Sequence, residues 1–557
     1  MAPSYEHEYE NLRLTANLGD YQAGVDSALQ DIKNKRIISR LWAHDHTLWK
    51  PEPDEIENRL GWLDIVPRMR DDLSIIEDLT QEVISEGYTH ALLLGMGGSS
   101  LAPEVFRKIF GVRAGYLDLK VLDSTDPDMV RAQAERLDPG KTLFIVSTKS
   151  GGTVETLSLY KYFFGLTSKS LGSSRAGDHF VAITDPGSRL AEEADRRGFR
   201  ARFLNDSRIG GRFSALSYFG LVPAALIGVD TARLLERAEE VRNRCTPSAG
   251  HPRENPGASL GAILGKLAAS GRDKLTFLTS SKIACFGDWL EQLIAESTGK
   301  EGKGLLPVVD EPRGEFSVYG NDRLFIRLEM GEESVPVPNA GGSAHPEVRI
   351  RFRDRYDIGG QIFLWEIAVA VAGERLGINP FDQPDVETAK QQARMMVALY
   401  EKSGRLPIDA PSKTRAETLD DFLGKVKPGD YIALLAYLKP SPETDTALQA
   451  LRVKLRDRSR LAVTFGYGPR YLHSTGQLHK GDRGRGHFIV MTADNGEDVP
   501  IPKETGSDDS RLSFGILKMA QALGDEKALR GKGRHIIRLH LSSSPADDIT
   551  TLTRMLT

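Results

Sequence analysis

Cysteine is nearly absent from this chain: Cys245 and Cys285 are the only two in 557 residues. Two are too few for a disulfide framework, and they stand at no metal-ligand spacing, so a reducing compartment is the expected setting. No apolar run approaches the roughly 20 residues that a membrane-spanning helix needs. The first residues, Met1 to Glu8, carry acidic side chains and no apolar core, so no secretory signal is expected. Strong net charge is missing as well. Lys and Arg number 73 against 77 Asp and Glu, a formal charge of −4, without the basic balance of a general nucleic-acid binder. There is no low-complexity tract. What remains, 40% apolar and 27% charged, is an ordinary globular composition. It is expected in the cytoplasm, with no nucleic-acid or membrane partner, and the length suggests three or four domains.

The pattern along the chain supports four segments: 1–75, 76–255, 256–403 and 404–557. The first reads as a helical arm, with Tyr21, Val25, Leu29 and Ile32 on one stripe. The second alternates short apolar runs (Ala91 to Gly95, Leu119 to Leu122, Leu143 to Val146, Phe180 to Ile183) with helical patterns. That alternation predicts a parallel sheet with helices on both faces. The third has a strand at Leu275 to Leu278 between helical stretches, a loop-rich region from Pro312 to Pro346, and apolar helices after it. Residues 404–428, with Pro407, Pro411 and Pro428, read as a connection. A further α/β unit then has strands at Tyr431 to Leu438, Leu461 to Phe465, Phe488 to Met491 and Ile536 to Leu541, and a polar loop from Asp494 to Asp509.

The chemistry-bearing residues concentrate in five places. After the Leu143 to Val146 run, Ser147, Thr148, Lys149, Ser150 and Thr153 place hydroxyls, one ammonium and two glycines between a strand and a helix. Unpaired N–H groups at a helix start and several side-chain donors suit a phosphate. The alternative is a solvated turn with Thr153 as N-cap. Gly97-Gly98-Ser99-Ser100 also follows a strand and opens a helix, but lacks the third glycine of the dinucleotide fingerprint. On the helix around Trp289, Gln292 and Glu296 lie four apart, beside an apolar stripe, where a carboxylate can act as a base or simply be solvated. Gln383 and Lys390, seven apart, share a helical face on which the ammonium leans toward the helix start. The alternative there is a surface lysine paired with Glu387. His473 and His479 stand in a polar stretch with too few ligands nearby for a metal site. Acid–base work is the better functional reading for a histidine there.

Together these segments resemble the phosphoglucose isomerase family, built on sugar isomerase (SIS) domains. The resemblance rests on Gly95 to Ser99, on Thr148, Lys149, Ser150 and Thr153, and on Gly210-Gly-Arg212-Phe-Ser214. It rests also on Gln292, Glu296, Ser297, Gly299 and Lys300, and on Phe381 to Lys390, all in family order. The likeness is to the isomerase half of transaldolase fusions, although no transaldolase barrel precedes the first strand. It implies tandem SIS-type, doubly wound parallel sheets in three-layer αβα architecture, with an N-terminal helical segment and an extra C-terminal α/β unit. One departure stands out: the family's ring-opening histidine usually precedes the final lysine. Here the similar string, His473-Ser-x-x-Gln477-Leu-His479-x-Gly481, follows Lys390.

What the resemblance implies is cofactor-free and metal-free isomerisation of glucose 6-phosphate and fructose 6-phosphate. Gly98, Ser99, Thr148, Lys149, Ser150 and Thr153 would hold the phosphate, with Gln292 and Gln383 also on the substrate. His473 and Lys390 would open the ring, with His345 and His479 as rivals of His473. Glu296 would move the proton from C2 to C1 through a cis-enediol, and Arg212 would stabilise the enediolate. Two alternatives stay open: an isomerase that also takes mannose 6-phosphate, and a non-catalytic sugar-phosphate sensor. Family members are commonly dimers, so a homodimer is implied by resemblance.

Overall fold

The computed structural model describes residues 5–9, 12–338, 345–407 and 415–556. Part of the expected connection (408–414) and of the loop-rich region (339–344) lies outside them. The chain opens not on a helix but on an antiparallel hairpin, β1 (Tyr5–Tyr9) and β2 (Leu12–Asn17). Only then does the amphipathic helix Gln22–Asn34 begin, burying Val25, Leu29 and Ile32 as its stripe predicts. The helical arm expected over 1–75 thus begins as a hairpin and is helical only from residue 19 on. Leu12, Leu14 and Ala16 alternate with polar residues, the period of a half-buried strand.

The first sheet is all parallel, formed by β3 (His90–Gly95), β4 (Asp118–Leu122), β5 (Thr142–Ser147), β6 (Phe180–Thr184) and β7 (Ala201–Leu204) in the order β4-β3-β5-β6-β7. Strands β3, β5 and β6 are buried almost throughout, which is why they read as unbroken apolar runs. The edge strand β7, Ala-Arg-Phe-Leu, has no such run.

The second sheet has β8 (Lys274–Thr279), β9 (Leu306–Val308), β10 (Arg323–Met330) and β11 (Glu347–Phe352). All four are parallel, and the N-terminal hairpin adds an antiparallel edge through β2 and β11. The expected all-parallel sheet is thus mixed at one edge. Strands β10 and β11 lie inside the stretch expected to be loop-rich or just after it. Charged side chains interrupt their apolar period: Glu329 of β10, wholly buried, accepts from Arg327 (2.6 Å), Arg349 (2.6 Å) and the Val335 N–H (2.9 Å). Burial would push that carboxyl up, but these donors hold it below its usual value.

The third sheet, β12 (Tyr431–Tyr437), β13 (Ala462–Tyr467), β14 (Gly486–Ala493) and β17 (His535–Leu541), is parallel in the order β13-β12-β14-β17. A small hairpin, β15 (Pro500–Pro502) and β16 (Ser510–Ser513), occupies the expected polar loop. One continuous core joins the N-terminal segment to the first two sheets. The third sheet meets them through Ala295, Leu306 and Val308, which pack with Tyr431, Leu435 and Leu478. Val499, Ile501, Phe514 and Leu517 cover the other face of the first sheet with Phe144 and Phe180. No helix among the described residues is long and apolar enough to cross a membrane.

Candidate active site

Two glycine turns at the ends of β3 and β5 form the floor. They are tied together, because Ser147 Oγ donates to the Ser99 carbonyl at 3.0 Å. Gly97 takes φ +57°, where a side chain is disfavoured. A Cβ on Gly98 would stand 2.0 Å from the Gly211 carbonyl oxygen. This contact brings the Gly210-Gly211-Arg212 turn against the first one. Gly97 in turn abuts the Gln292 amide and the His473 backbone. Thus four of the sequence segments meet where glycine lets the chain approach closely.

Arg212 is 2% exposed. Its Nε donates to Ser297 Oγ (2.7 Å), Nη1 to Gln383 Oε1 (2.9 Å), and Nη2 to the carbonyls of Pro380 (2.7 Å) and Asp382 (2.9 Å). Nη1 also lies 3.3 Å from Glu296 Oε1. Burial presses the guanidinium pKa down while the Glu296 and Asp382 carboxylates oppose it. The group remains a cation across the working range. Glu296 is oriented a second time: Gln292 Nε2 donates to its Oε2 at 3.0 Å and to the His473 carbonyl at 2.8 Å. The pair spaced four apart on the Phe286–Thr298 helix therefore faces the arginine.

His473 sits in the short turn Arg470–His473 and places Nε2 2.9 Å from Glu155 Oε1. Glu155 belongs to the first turn of the Val154–Leu171 helix and is buried. Burial raises its carboxyl, but the charge and hydrogen bond of His473 and the charge of Lys390 bring it below the usual carboxylate value. Lys390 is exposed on the Pro384–Ser403 helix, and Glu387 pairs with Arg394 (3.0 Å). His345 and His479 stand elsewhere. His345 packs between Arg272 and the rings of Phe316 and Phe325. His479 is buried with Tyr431 and Phe488.

In the loop after β5, Thr148 Oγ1 and Thr153 Oγ1 are 3.0 Å apart, and Ser150 is exposed with its Oγ accepting from the Gly152 N–H at 3.3 Å. Thr153 precedes the helix but makes no side-chain cap. Lys149 differs from expectation: its ammonium is turned onto Asp185 and donates to the Ser207 carbonyl at 2.9 Å. The anion-binding capacity of this loop therefore lies in its hydroxyls and N–H groups.

Several participants are not legible in the sequence. Glu155 lies two residues after the hydroxyl-rich loop, in the first turn of the following helix, where nothing in the sequence marks it. Ser297 and Lys300 stand out only as motif positions. Lys300, buried, bonds Asp382 Oδ1 at 2.7 Å, and burial together with the Arg212 charge pushes its ammonium down to about 8. Glu291, beside Gln292, is raised to about 7 by burial and by Asp288, and accepts from Ser474 Oγ at 3.1 Å. Among the described residues no group of three or more His, Cys, Asp or Glu is arranged to hold a metal ion.

Comparison with known proteins agrees with this geometry. The sequence model of the phosphoglucose isomerase family matches residues 61–320. The glucose-6-phosphate isomerase of Synechococcus elongatus is 28% identical over 478 residues, covering 74% of this chain and 84% of that one. That of Thermosynechococcus vestitus is 29% identical over 498 residues, covering 76% and 87%. Among solved structures, a glucose-6-phosphate isomerase from Chlamydia trachomatis superposes with TM-score 0.61 at 16% identity, over 71% of this chain and 90% of that one. A hypothetical protein of Thermus thermophilus gives 0.57 at 25% identity, over 70% and 100%. The buried arginine between two glycine turns and the glutamate it pairs with thus stand in a chain that is similar to members of the phosphoglucose isomerase family.

Proposed function

We propose that the protein interconverts glucose 6-phosphate and fructose 6-phosphate, opening the ring and passing through a cis-enediol. The observation that carries this reading is the Glu296 carboxylate held 3.3 Å from the buried Arg212 guanidinium, with Gln292 bridging Glu296 to the His473 backbone. An aldose–ketose shift needs one group that takes the C2 proton and returns it at C1, and a carboxylate can cycle a proton in this way. It also needs a fixed cation beside the enediolate oxygen, which works best where water is excluded. Arg212 has that position and Glu296 that chemistry. Glu155 accepts the Nε2–H of His473, leaving Nδ1 to exchange a proton with the ring oxygen or anomeric hydroxyl, and Lys390 assists. The hydroxyls of Ser99, Thr148, Ser150 and Thr153 hold the phosphate and orient the open chain. Gln383, bound to Arg212, lines the sugar side.

Several further elements belong to this reading. The arm 1–75 and the units 76–255, 256–403 and 404–557 form separate domains in this reading, and limited proteolysis checks the boundaries. A homodimer is carried from the family resemblance, and light scattering of the purified protein decides it. The cytoplasm is its proposed location.

The test is a dehydrogenase-coupled assay on fructose 6-phosphate in EDTA. Wild type is expected to form glucose 6-phosphate. Glu296→Gln is expected to lose at least about 10²-fold in kcat while still binding sugar phosphate. Wild-type-like turnover in that variant would remove Glu296 as the base.

A further inference from the structure

The Phe514–Gly531 helix lies in the C-terminal unit that departs from the usual family ending, yet one of its side chains reaches the centre of the site. Gln521, 3% exposed, donates through Nε2 to Glu155 Oε1 at 2.7 Å and accepts through Oε1 from Thr125 Oγ1 at 3.0 Å. The amide can face only this way round. An ionised carboxylate cannot donate, so the nitrogen must meet Glu155 and the oxygen the hydroxyl. Glu155 Oε1 therefore takes two hydrogen bonds, one from Gln521 and one from His473.

The helix is pinned on both sides of Gln521. Three residues earlier, buried Lys518 pairs with Asp126 at 2.8 Å. Four residues later, buried Asp525 accepts from Tyr471 Oη at 2.6 Å and pairs with Lys480 at 2.6 Å. Spacings of three and four put all three side chains on one helical face. Tyr471 belongs to the same short turn as His473. One face of this helix thus grips the first α/β unit through Asp126 and Thr125, the site through Glu155, and the histidine turn through Tyr471.

We propose that Gln521 is a positioning residue for ring opening, its amide fixing the Glu155 carboxylate against His473; this rests on the isomerase reading above. The physical reason is that a buried carboxylate is stable as an anion only while its hydrogen bonds and charges offset desolvation. The groups facing Glu155 are His473 from its turn, Lys390 from the Pro384–Ser403 helix, Gln521, and more distantly Tyr437 of β12. Of the two side chains bonded to Glu155 Oε1, His473 and Gln521, Gln521 is the neutral donor that does not change charge during the reaction. Without its N–H, Glu155 takes up a proton more readily or turns away. The imidazole then loses the acceptor that keeps its hydrogen on Nε2 and its Nδ1 available.

The test uses the full chain with Gln521→Glu, which keeps size and removes the donor, and Gln521→Leu, which removes both polar ends. The expected result is a kcat on cyclic substrate lower by about 10-fold or more, with KM little changed. The acid limb of the kcat–pH profile should move to higher pH, by about one unit in Gln521→Glu, where two carboxylates must share a proton. Nitrogen-15 NMR of the His473 imidazole in the resting enzyme provides a readout independent of turnover. Wild type should show the Nε2–H tautomer and Gln521→Glu a loss of that preference. Should Gln521→Leu fail to fold, the isosteric variant decides. An unchanged pH profile and an unchanged His473 spectrum in Gln521→Glu overturn the proposal and leave the isomerase reading intact. A wild type that turns over neither sugar phosphate, with a His473 spectrum that still responds, upholds the Gln521 coupling and sinks the isomerase reading instead.

Discussion

Arg212 shows how much one side chain can organise. Its Nε and both terminal nitrogens are engaged, by Ser297, Gln383 and two backbone carbonyls, and Glu296 adds the charge. A lysine carries the charge but not the planar fork. Arg212→Lys is therefore expected to lose about 10²-fold or more in kcat and to lower the melting temperature, because buried acceptors are left unmatched. Glu291 gives a pH prediction. Its carboxyl is raised to about 7 in the folded chain, so the folded state holds an extra proton between the ordinary carboxylate range and neutrality. Its stabilising contribution is full below the unfolded pKa and is lost as pH rises through about 7. Glu291→Gln is expected to remove part of the loss in melting temperature between pH 5 and pH 8, an effect of at most about 3 kcal/mol, read by calorimetry across that range. At this scale the hydroxyl-rich loop was legible from its donors, and Glu296 and Arg212 only through the family resemblance, since spacing alone leaves Glu296 open to being simply solvated. Glu155 and Gln521 were not, because a buried acid and a buried amide look like any others until the fold sets them 2.7 Å apart. Nor does the sequence show that Asp185, 36 residues on, pairs with Lys149.

Among the elements, the glycine turns position the most. Gly98→Ala forces a methyl against the Gly211 carbonyl oxygen. The expected cost is about 1–3 kcal/mol, together with a drop in kcat as the Arg212 turn is pushed away; thermal melts and the coupled assay report the two effects separately. Buried strands such as β3, β5 and β12 were readable as apolar runs because helices or other strands cover both faces. Strands β10 and β11 were not. Buried Arg323 and Glu329 interrupt the apolar run of β10, and their pairing partners come from elsewhere in the fold. The N-terminal hairpin escaped notice for a related reason: its partner, β11, lies more than 300 residues away.

On the scale of the whole molecule, the C-terminal unit packs into the candidate site. It supplies His473 and Gln521, and its hairpin and following helix cover the first sheet with Val499, Ile501 and Phe514. A chain ending at residue 403 is expected to lose isomerisation entirely. It should also be poorly soluble, because the faces of Ala295, Leu306 and Val308 would be uncovered; activity and sedimentation of the truncated protein check both. The architecture of the first α/β unit followed from strand–helix alternation, whereas of the second only β8 did. His473 was singled out in sequence despite standing after Lys390, but its pairing with Glu155 appears only in three dimensions. The most direct measurement is conversion of fructose 6-phosphate in heavy water with EDTA present, following deuterium at C2 of the glucose 6-phosphate formed. The account predicts conversion with deuterium at C2 by the wild type and neither by Glu296→Gln; conversion that proceeds equally in both proteins, or in neither, would contradict it.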